Sequence, residues 1–369
     1  MGVMLSFQEV TKIYPGADHI KAVDELSFDL EEGRICTLVG PSGCGKSTAM
    51  KMINRLISVT SGKIIINGRN IAGINTIELR RMIGYVIQNI GLFPNMTIGE
   101  NIAIVPRLLK WSRSRIDEKV QSLLEIVNLD PAKFRDRYPR ELSGGQQQRV
   151  GVARGMAGDP PIMLMDEPFG AIDPINREHL QNEFLKIQEK VQKTIVFVTH
   201  DIDEAIKMGD RICLLRDGKL VQYDSPEAIL INPKNEFVRS FVGGDRTLKR
   251  LNLFTVKRAM RTDPPLIPET FSLGEARNRF AGQGHRYVVA VDGEGRFAGI
   301  ADLESPLSGS GPLRDVMQSG CASLLASTSL KDGLSEIFSH DYGFVVVVDE
   351  SGSVMGWLKT EDIKSTLKG

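Results

Sequence analysis

Residues 40–48 read GPSGCGKST, which fits the phosphate-binding pattern G-x-x-x-x-G-K-[ST]. Glycines allow successive backbone N–H groups to turn inward around a phosphate, and the helix expected from Lys46 adds the positive end of its dipole. Lys46 would reach the outer phosphates, and the Ser47 hydroxyl would ligate Mg²⁺. A plain glycine turn before a helix is the alternative, but the position after a buried apolar run favours phosphate binding. The candidate binding residues in this loop are Gly40, Ser42, Gly43, Cys44, Gly45, Lys46, Ser47 and Thr48.

A second candidate motif is a pair of acidic residues after an apolar run. Residues 162–167 read IMLMDE, so that Asp166 and Glu167 follow four apolar residues. Asp166 would hold the metal shell through water, and Glu167 would face the outer phosphate as the general base. Two solvated loop acids are the alternative interpretation. The presence of a phosphate-binding loop in the same chain makes the catalytic interpretation the better one.

A third motif, LSGGQQQR at residues 142–149, predicts another helix start that can bind an anion. Its candidate residues are Ser143, Gly144, Gly145 and Gln146. A single nucleotide does not need two such helix starts from one protomer. Two copies packed head to tail would need both, because each would complete the site held by the other copy's glycine loop. A flexible linker is the alternative for an isolated string of this kind.

The elements around these motifs predict an α/β fold. Residues 34–39, 161–165 and 194–199 are short apolar runs of the kind found in buried strands, and residues 175–191 between the last two have a helical pattern. Such alternation is typical of a mostly parallel sheet. Residues 3–39 predict short strands, with alternating residues from Ile20 to Leu30, and residues from about 90 to 155 predict a helical subdomain. The first domain is expected to end at residue 242, and residues 243–254 are expected to be a linker.

Composition restricts the class of partner. The chain has 369 residues, with 46 basic and 46 acidic side chains, so its formal charge is zero. Nucleic-acid binders usually carry a basic excess, and we therefore expect no nucleic-acid partner. No apolar stretch is long enough to span a bilayer, and the N-terminal residues do not resemble a secretory signal. We expect a protein of the cytosol.

In order and content, these motifs resemble those of the ATP-binding subunit of an ABC transporter, and the resemblance covers residues 5–242. It implies that ATP and Mg²⁺ are bound, that Tyr14 stacks on adenine, that Gln88 contacts Mg²⁺, and that His200 bonds the outer phosphate and orders Glu167. The implied metal-binding set is Ser47, Gln88 and Asp166, and the implied catalytic pair is Glu167 and His200. Residues 170–173 read GAID where many relatives have a serine and a leucine.

The second half of the chain repeats itself at a constant offset and with no gap. Ser272-Leu273 matches Ser329-Leu330, Val291-Asp292 matches Val348-Asp349, and Gly299 matches Gly356. The repeat resembles a tandem of CBS domains, which we place at residues 255–310 and 311–369. The fold class implied is a P-loop ATPase core with an N-terminal antiparallel β subdomain and a helical subdomain, followed by an α+β CBS pair.

An ABC ATPase with this C-terminal pair is similar to the quaternary-amine uptake family, which imports glycine betaine, carnitine, choline or proline betaine. The resemblance implies a homodimer on the cytoplasmic face of the inner membrane, a separate permease and an extracytoplasmic solute-binding protein. CBS pairs often bind adenine nucleotides through an acidic residue that holds ribose. Here only Asp362 fits that pattern, so an adenine or cyclic dinucleotide remains an open possibility.

Six basic side chains between positions 246 and 261 offer another mode of regulation, through anionic lipid and ionic strength. They are Arg246, Lys249, Arg250, Lys257, Arg258 and Arg261. A solvated linker surface is the alternative for this cluster, which we call the basic segment.

A soluble ABC ATPase of DNA repair or translation is the competing function. Repair members carry a long coiled coil between the two segments that contain Gln88 and Ser143, but the stretch between these residues is too short here to hold one. Translation members usually carry two cassettes, and this chain has one. A mainly nucleotide-sensing role is a third possibility, which the presence of Glu167 and His200 disfavours.

Glu167→Gln tests the assignment of the general base. We expect ATP hydrolysis to fall about 10²–10⁴-fold, the range typical of acid–base groups, whereas ATP binding and the closed dimer survive. Steady-state phosphate release and nucleotide binding measure the two effects. Near-normal turnover in this variant would contradict the assignment.

Overall fold

The computed structural model of the protein describes residues 2–15, 20–88, 91–170, 172–306, 311–321 and 323–368. The chain forms two compact units, Met1–Gly244 and Asp245–Gly369. Ala171 in the segment GAID and residues 307–310 at the end of the first repeat lie outside the described residues.

The first unit contains ten strands and ten α-helices within the described residues. The strands are β1 Val3–Ile13, β2 Lys21–Glu31, β3 Ile35–Val39, β4 Ser61–Ile66, β5 Arg69–Asn70, β6 Ile83–Val86, β7 Ile162–Asp166, β8 Thr194–Val198, β9 Arg211–Arg216 and β10 Lys219–Asp224. The helices are α1 Lys46–Ile53, α2 Thr76–Arg81, α3 Ile98–Leu108, α4 Arg113–Ile126, α5 Pro131–Phe134, α6 Gly144–Met156, α7 Pro174–Val191, α8 Ile202–Met208, α9 Pro226–Ile231 and α10 Glu236–Val242.

The central sheet of this unit has the order β10-β9-β3-β8-β7-β6. All neighbouring pairs are parallel except β9 and β10, which form an antiparallel hairpin. The phosphate-binding loop follows β3, His200 follows β8, Glu167 follows β7 and Gln88 follows β6. Carboxyl ends of parallel strands share one edge of a sheet, so this order gathers the candidate residues.

Two further layers support the central sheet. The antiparallel sheet β2-β1-β4-β5 shares a hydrophobic core with one side of the central sheet, and its Phe7 and Phe28 rings stack at 4.7 Å. Helices α3, α4 and α6 share another core with Val86 and Met165 of the central sheet. The α/β class, the antiparallel subdomain and the helical part agree with the fold predicted from the sequence.

The second unit contains two similar three-stranded sheets. Its strands are β11 Leu266–Pro268, β12 Tyr287–Val291, β13 Phe297–Asp302, β14 Ser323–Leu325, β15 Phe344–Val348 and β16 Val354–Lys359. Its helices are α11 Arg246–Leu253, α12 Val256–Ala259, α13 Leu273–Arg279, α14 Leu330–Ser339 and α15 Thr360–Lys368. Residues 243–254, expected as a linker, thus include helix α11, and its Leu251 is buried in a core with α14 and α15.

The two repeats exchange their N-terminal segments. Val256 lies in the core of the second repeat, whereas Leu313, its equivalent in the next copy, lies in the core of the first. The backbone shows the same exchange. Arg261 forms an antiparallel β-bridge with Trp357, and Gln318 forms one with Ile300. Neither repeat therefore completes its hydrophobic core from its own residues alone.

Close backbone contact explains the matched glycines Gly299 and Gly356. A Cβ atom at Gly356 would lie 2.1 Å from the Arg261 carbonyl oxygen, and one at Gly299 would lie 2.6 Å from that of Gln318. Real Cβ atoms do not approach backbone oxygens so closely. The glycines are needed where each exchanged segment crosses the other repeat's hairpin.

Gly356→Ala tests this exchange. We expect it to lower the free energy of unfolding of the second unit by about 1–3 kcal/mol, because the added methyl group must displace backbone. Hydrogen exchange should accelerate in β16 and around Arg261, and chemical denaturation measures the energy.

Gly293→Ala is the matched control, because a Cβ at Gly293 has nothing within 4 Å. Equal stability of the two variants would contradict a close crossing at Gly356.

Candidate nucleotide-binding site

The phosphate-binding loop is compressed between two neighbouring segments of backbone. Gly45 has a φ of 103°, and a Cβ atom there would lie 2.3 Å from the Ala22 carbonyl oxygen. A Cβ atom at Gly40 would lie 2.1 Å from the Leu215 carbonyl oxygen. Gly45 is required because its φ is positive, and both positions require glycine because a side chain would clash with the neighbouring carbonyl group.

Lys46 is held by the loop that precedes it. Its buried Nζ donates to the carbonyl oxygens of Gly40 at 2.7 Å and Pro41 at 2.9 Å, and lies 3.7 Å from the Cys44 sulfur. Cys44 is also buried, and its backbone N–H donates to the Pro41 carbonyl oxygen at 3.3 Å. The ammonium group is thus kept at the loop, where it can meet a phosphate.

A cavity of about 470 Å³ opens over this loop, a size typical of small-molecule sites. It brings together the candidate residues of the loop with Glu167 and His200. Ala22 and Phe241 complete its wall. Sequence reasoning missed both residues. Phe241 belongs to no recognisable motif, and its only distinguishing feature is that it is the last aromatic residue before Gly243-Gly244.

Glu167 is the centre of a polar cluster formed by three strand ends. One of its carboxylate oxygens accepts from Gln88 Nε2 at 3.1 Å, and the other lies 3.3 Å from His200 Nδ1. Its φ of 42° is uncommon for a residue other than glycine, and such conformations cluster at functional sites. Gln88, Glu167 and His200 are therefore adjacent, as a shared role in hydrolysis requires.

Asp166 is partly buried at the end of β7. Burial raises the pKa of its carboxyl group; nearby Lys51 opposes the shift, and Glu167 adds to it. A divalent cation would favour the ionised form. Ser47 and Glu167 line the cavity, whereas Asp166 and Gln88 are not among its lining residues. Hydroxyl and carboxylate oxygens of this kind suit Mg²⁺, which commonly binds one or two carboxylates, waters and phosphate oxygens. Ser47, Gln88 and Asp166 remain the predicted metal-binding set.

The helix start at Ser143 is well formed but belongs to another surface of the same protomer. Ser143 Oγ accepts from Gln146 N at 3.3 Å, and Gln146 Oε1 accepts from Ser143 N at 2.9 Å. Gly145 packs closely on Leu180 of α7. Residues 143–146, including Gly144, do not line the cavity over the loop. A role for them at a nucleotide would have to come from a second copy.

Tyr14 is also outside the wall of this cavity. The residue is 39% exposed, with Lys12 Nζ 5.2 Å from the ring centroid. Stacking of Tyr14 on adenine stays a prediction.

In the second unit, the candidate ligand residue Asp362 has internal partners. Asp362 is buried; one of its oxygens accepts from Arg261 Nε at 2.6 Å, and the other accepts from Lys359 N at 3.1 Å. Its carboxylate is thus hydrogen bonded within the unit.

The basic segment is largely engaged as well. Arg250 donates to the Leu367 carbonyl at 2.6 Å, Lys249 lies 3.4 Å from Asp245, and the Arg258 guanidinium lies 3.9 Å from the centroid of a phenylalanine ring. With Arg261, at least four of the six side chains have partners inside the second unit. These contacts disfavour the hypothesis that the basic segment is a surface that binds anionic lipid.

Comparisons with known proteins agree with this geometry. A family model described as ABC transporter matches residues 23–170, and one described as CBS domain matches residues 256–305 and 313–369. The osmoprotectant import ATP-binding protein OsmV of Salmonella typhimurium is 45% identical over 368 residues, 99% of this chain and 96% of that protein. The chain belongs to this family of ABC transporter ATP-binding subunits.

Two more relatives extend the comparison. The glycine betaine/carnitine/choline transport ATP-binding protein OpuCA of Bacillus subtilis is 44% identical over 357 residues, 96% of this chain and 93% of that protein. The ATP-binding cassette MJ0796, solved as a dimer in a post-hydrolysis state bound to ADP and Pi, is 35% identical with a TM-score of 0.53. That match covers 60% of this chain and 99% of the cassette.

The chain is therefore an ABC-type ATPase that binds ATP with Mg²⁺. The recognition of this family from sequence motifs, including the CBS pair, is confirmed. Among the described residues, no helix combines the length and apolar character needed to cross a membrane.

The position of His200 depends on α8, which begins just after it. Asp201 Oδ1 accepts from Asp203 N at 2.8 Å and so caps α8. The buried Glu204 accepts from Gln181 of α7 at 3.0 Å. Burial raises the pKa of Glu204, opposed by its hydrogen bonds to Thr199 and Gln181. The hydrogen bond between Gln181 and Glu204 thus links α7, which follows Glu167, to α8, which follows His200.

Glu204→Gln is expected to stabilise the first unit at pH 8. A carboxyl group whose pKa is raised by folding stabilises the fold below its unfolded pKa, and that contribution is lost as the pH rises through the folded value. Glutamine keeps an oxygen for Gln181 and carries no charge. The variant should unfold at a higher temperature than the parent at pH 8, and the difference should disappear near pH 4.

Glu189→Gln, an exposed change on α7, is the control and should leave the midpoint unaltered. A Glu204→Gln variant less stable than the parent at pH 8 would show that the ionised carboxylate is favourable.

Proposed function

We propose that this chain hydrolyses ATP to power import of an osmoprotectant quaternary amine through a separate permease. Glycine betaine, carnitine, choline and proline betaine are the candidate solutes. The observation that carries the proposal is the cavity that joins the phosphate-binding loop to Glu167 and His200. The 44–45% identity to import ATP-binding subunits over nearly the whole chain supports the solute class.

The arrangement of these side chains suggests a role for each of them in ATP hydrolysis. Lys46 and the loop amides hold the outer phosphates and offset their charge. The Glu167 carboxylate positions water and accepts its proton, while Gln88 and His200 keep that carboxylate oriented. Mg²⁺, when bound through Ser47, Gln88 and Asp166, would neutralise charge that develops on the phosphate oxygens.

The proposal includes a homodimer with two nucleotides at the interface. Within one protomer, Ser143, Gly144, Gly145 and Gln146 do not reach the cavity. A head-to-tail partner would supply this helix start to the outer phosphate, where its N–H groups and dipole favour negative charge. The MJ0796 cassette, which is dimeric in its solved structure, supports a dimer by likeness.

A groove between β6 and the helical part offers a surface for the permease. It has a volume of about 310 Å³ and includes Tyr85, Phe93, Ile104 and Val105 among its lining residues. Phe93 is half exposed. Because β6 also leads to Gln88, a partner seated there would act close to the catalytic cluster. The proposed location is therefore the cytoplasmic face of the membrane, with a solute-binding protein on the other side.

We further propose the division 1–242 for the ATPase domain, 255–310 and 311–369 for the CBS repeats, and a regulatory role for the pair. An adenine or cyclic dinucleotide as its ligand has the least support, because Asp362, the one residue that fits the nucleotide pattern, is hydrogen bonded to Arg261 and Lys359 within the unit.

Uptake by liposomes that contain the cognate permease and binding protein tests the proposed function. With this chain and internal ATP, we expect accumulation of at least one of four labelled solutes: glycine betaine, carnitine, choline and proline betaine. Uptake should be lost in Glu167→Gln. No ATP-dependent uptake of any of the four would overturn the solute class.

Phe93→Ala separates coupling from chemistry in the same assay. It should reduce permease-stimulated hydrolysis about fivefold or more, the effect of removing an interface side chain worth about 1 kcal/mol. Basal hydrolysis by the free subunit should not change. Leu56→Ala, which removes an exposed leucine that does not line the groove, is the control.

A further inference from the structure

Phe241 is one of the residues that line the nucleotide cavity. It lies on α10, the last helix of the first unit, and it is partly buried. We propose that Phe241 contacts the base or ribose of the bound nucleotide and thus helps to select adenosine phosphates over phosphate alone. The proposal depends on ATP binding and is independent of which solute is transported.

The chemistry of the cavity wall divides into two parts. Backbone amides, Lys46, Ser47, Glu167 and His200 form a polar part that suits phosphates, Mg²⁺ and water. Ala22 and Phe241 provide an apolar part. The base and ribose are the portion of ATP that gains from apolar contact, and aromatic rings stack on bases of any type.

Phe241 is held in place by a second aromatic residue and a cation. Its ring centroid lies 5.8 Å from that of Phe237, one helical turn earlier. The Arg216 guanidinium lies 4.6 Å from the Phe237 ring centroid. Val242, next to Phe241, is fully buried and anchors the end of α10.

The same hairpin that supplies Arg216 also contacts the phosphate-binding loop. In its turn, Gly218 N donates to the Cys44 carbonyl at 3.3 Å, and Gly218 O accepts from Asp24 N at 2.8 Å. The hairpin between β9 and β10 therefore braces both the loop and the helix that carries Phe241. This shared support keeps the phenyl ring at a fixed place relative to the loop, as a binding residue requires.

Phe241→Ala in the full-length chain tests the proposal. The dissociation constant for ATP should rise about tenfold, the size expected on loss of a base-stacking partner. The dissociation constant for inorganic tripolyphosphate should not change. In hydrolysis assays the KM for ATP should rise with little change in kcat, because the contact exists before and during the reaction. Phe241→Tyr, which keeps the ring, should retain ATP affinity.

Phe338→Ala is the control, because it removes a phenyl ring that is 74% exposed and does not line the cavity. It should leave ATP binding unchanged. Three results would each overturn the proposal: unchanged ATP affinity in Phe241→Ala, an equal loss of tripolyphosphate affinity, or an equal effect of Phe338→Ala. The thermal midpoint of each variant shows whether the fold is preserved.

Discussion

The close packing of backbone around the phosphate-binding loop is the constraint on which the rest of the first unit depends. Gly40 and Gly45 leave no room for a Cβ between the loop and the carbonyl groups of Leu215 and Ala22. These carbonyls belong to β9 and to β2, so one loop fixes the central sheet and the antiparallel sheet against each other. Lys46 then closes the loop on itself through two carbonyl oxygens. The shape of the anion site is thus set by packing and hydrogen bonds within the protein.

The catalytic cluster follows from the order of strands rather than from any one motif. Gln88, Glu167 and His200 are far apart in the sequence, yet each follows the carboxyl end of a neighbouring strand. The left-handed backbone of Glu167 turns its carboxylate between the other two side chains. Strain of this kind costs of order 1–3 kcal/mol. The parallel sheet compensates for it through regular hydrogen bonds and a buried core on both faces.

Spacing and residue type were sufficient to predict the loop, the acidic pair, the helix start at Ser143 and the C-terminal repeat. These features are local, because each depends on glycine geometry or on a polar residue next to an apolar run. Long-range pairing was not predictable. Nothing in the sequence near Val256 indicates that it completes the core of the second repeat, and no motif marks Phe241. Likewise the basic segment looked exposed because a charge pattern does not reveal partners such as the Leu367 carbonyl or Asp362.

The exchange between the repeats restricts how the second unit could regulate the first. Because Val256 and Leu313 each complete the other repeat's core, the two sheets cannot change independently without loss of buried apolar contacts. A stimulus at either sheet therefore affects the unit as a whole. The chain leaves the ATPase unit through α10, whose Phe241 lines the nucleotide cavity, and through Gly243, which has a φ of 91°. Phe241, in the wall of the nucleotide cavity, thus lies only a few residues before the point where the chain enters the second unit.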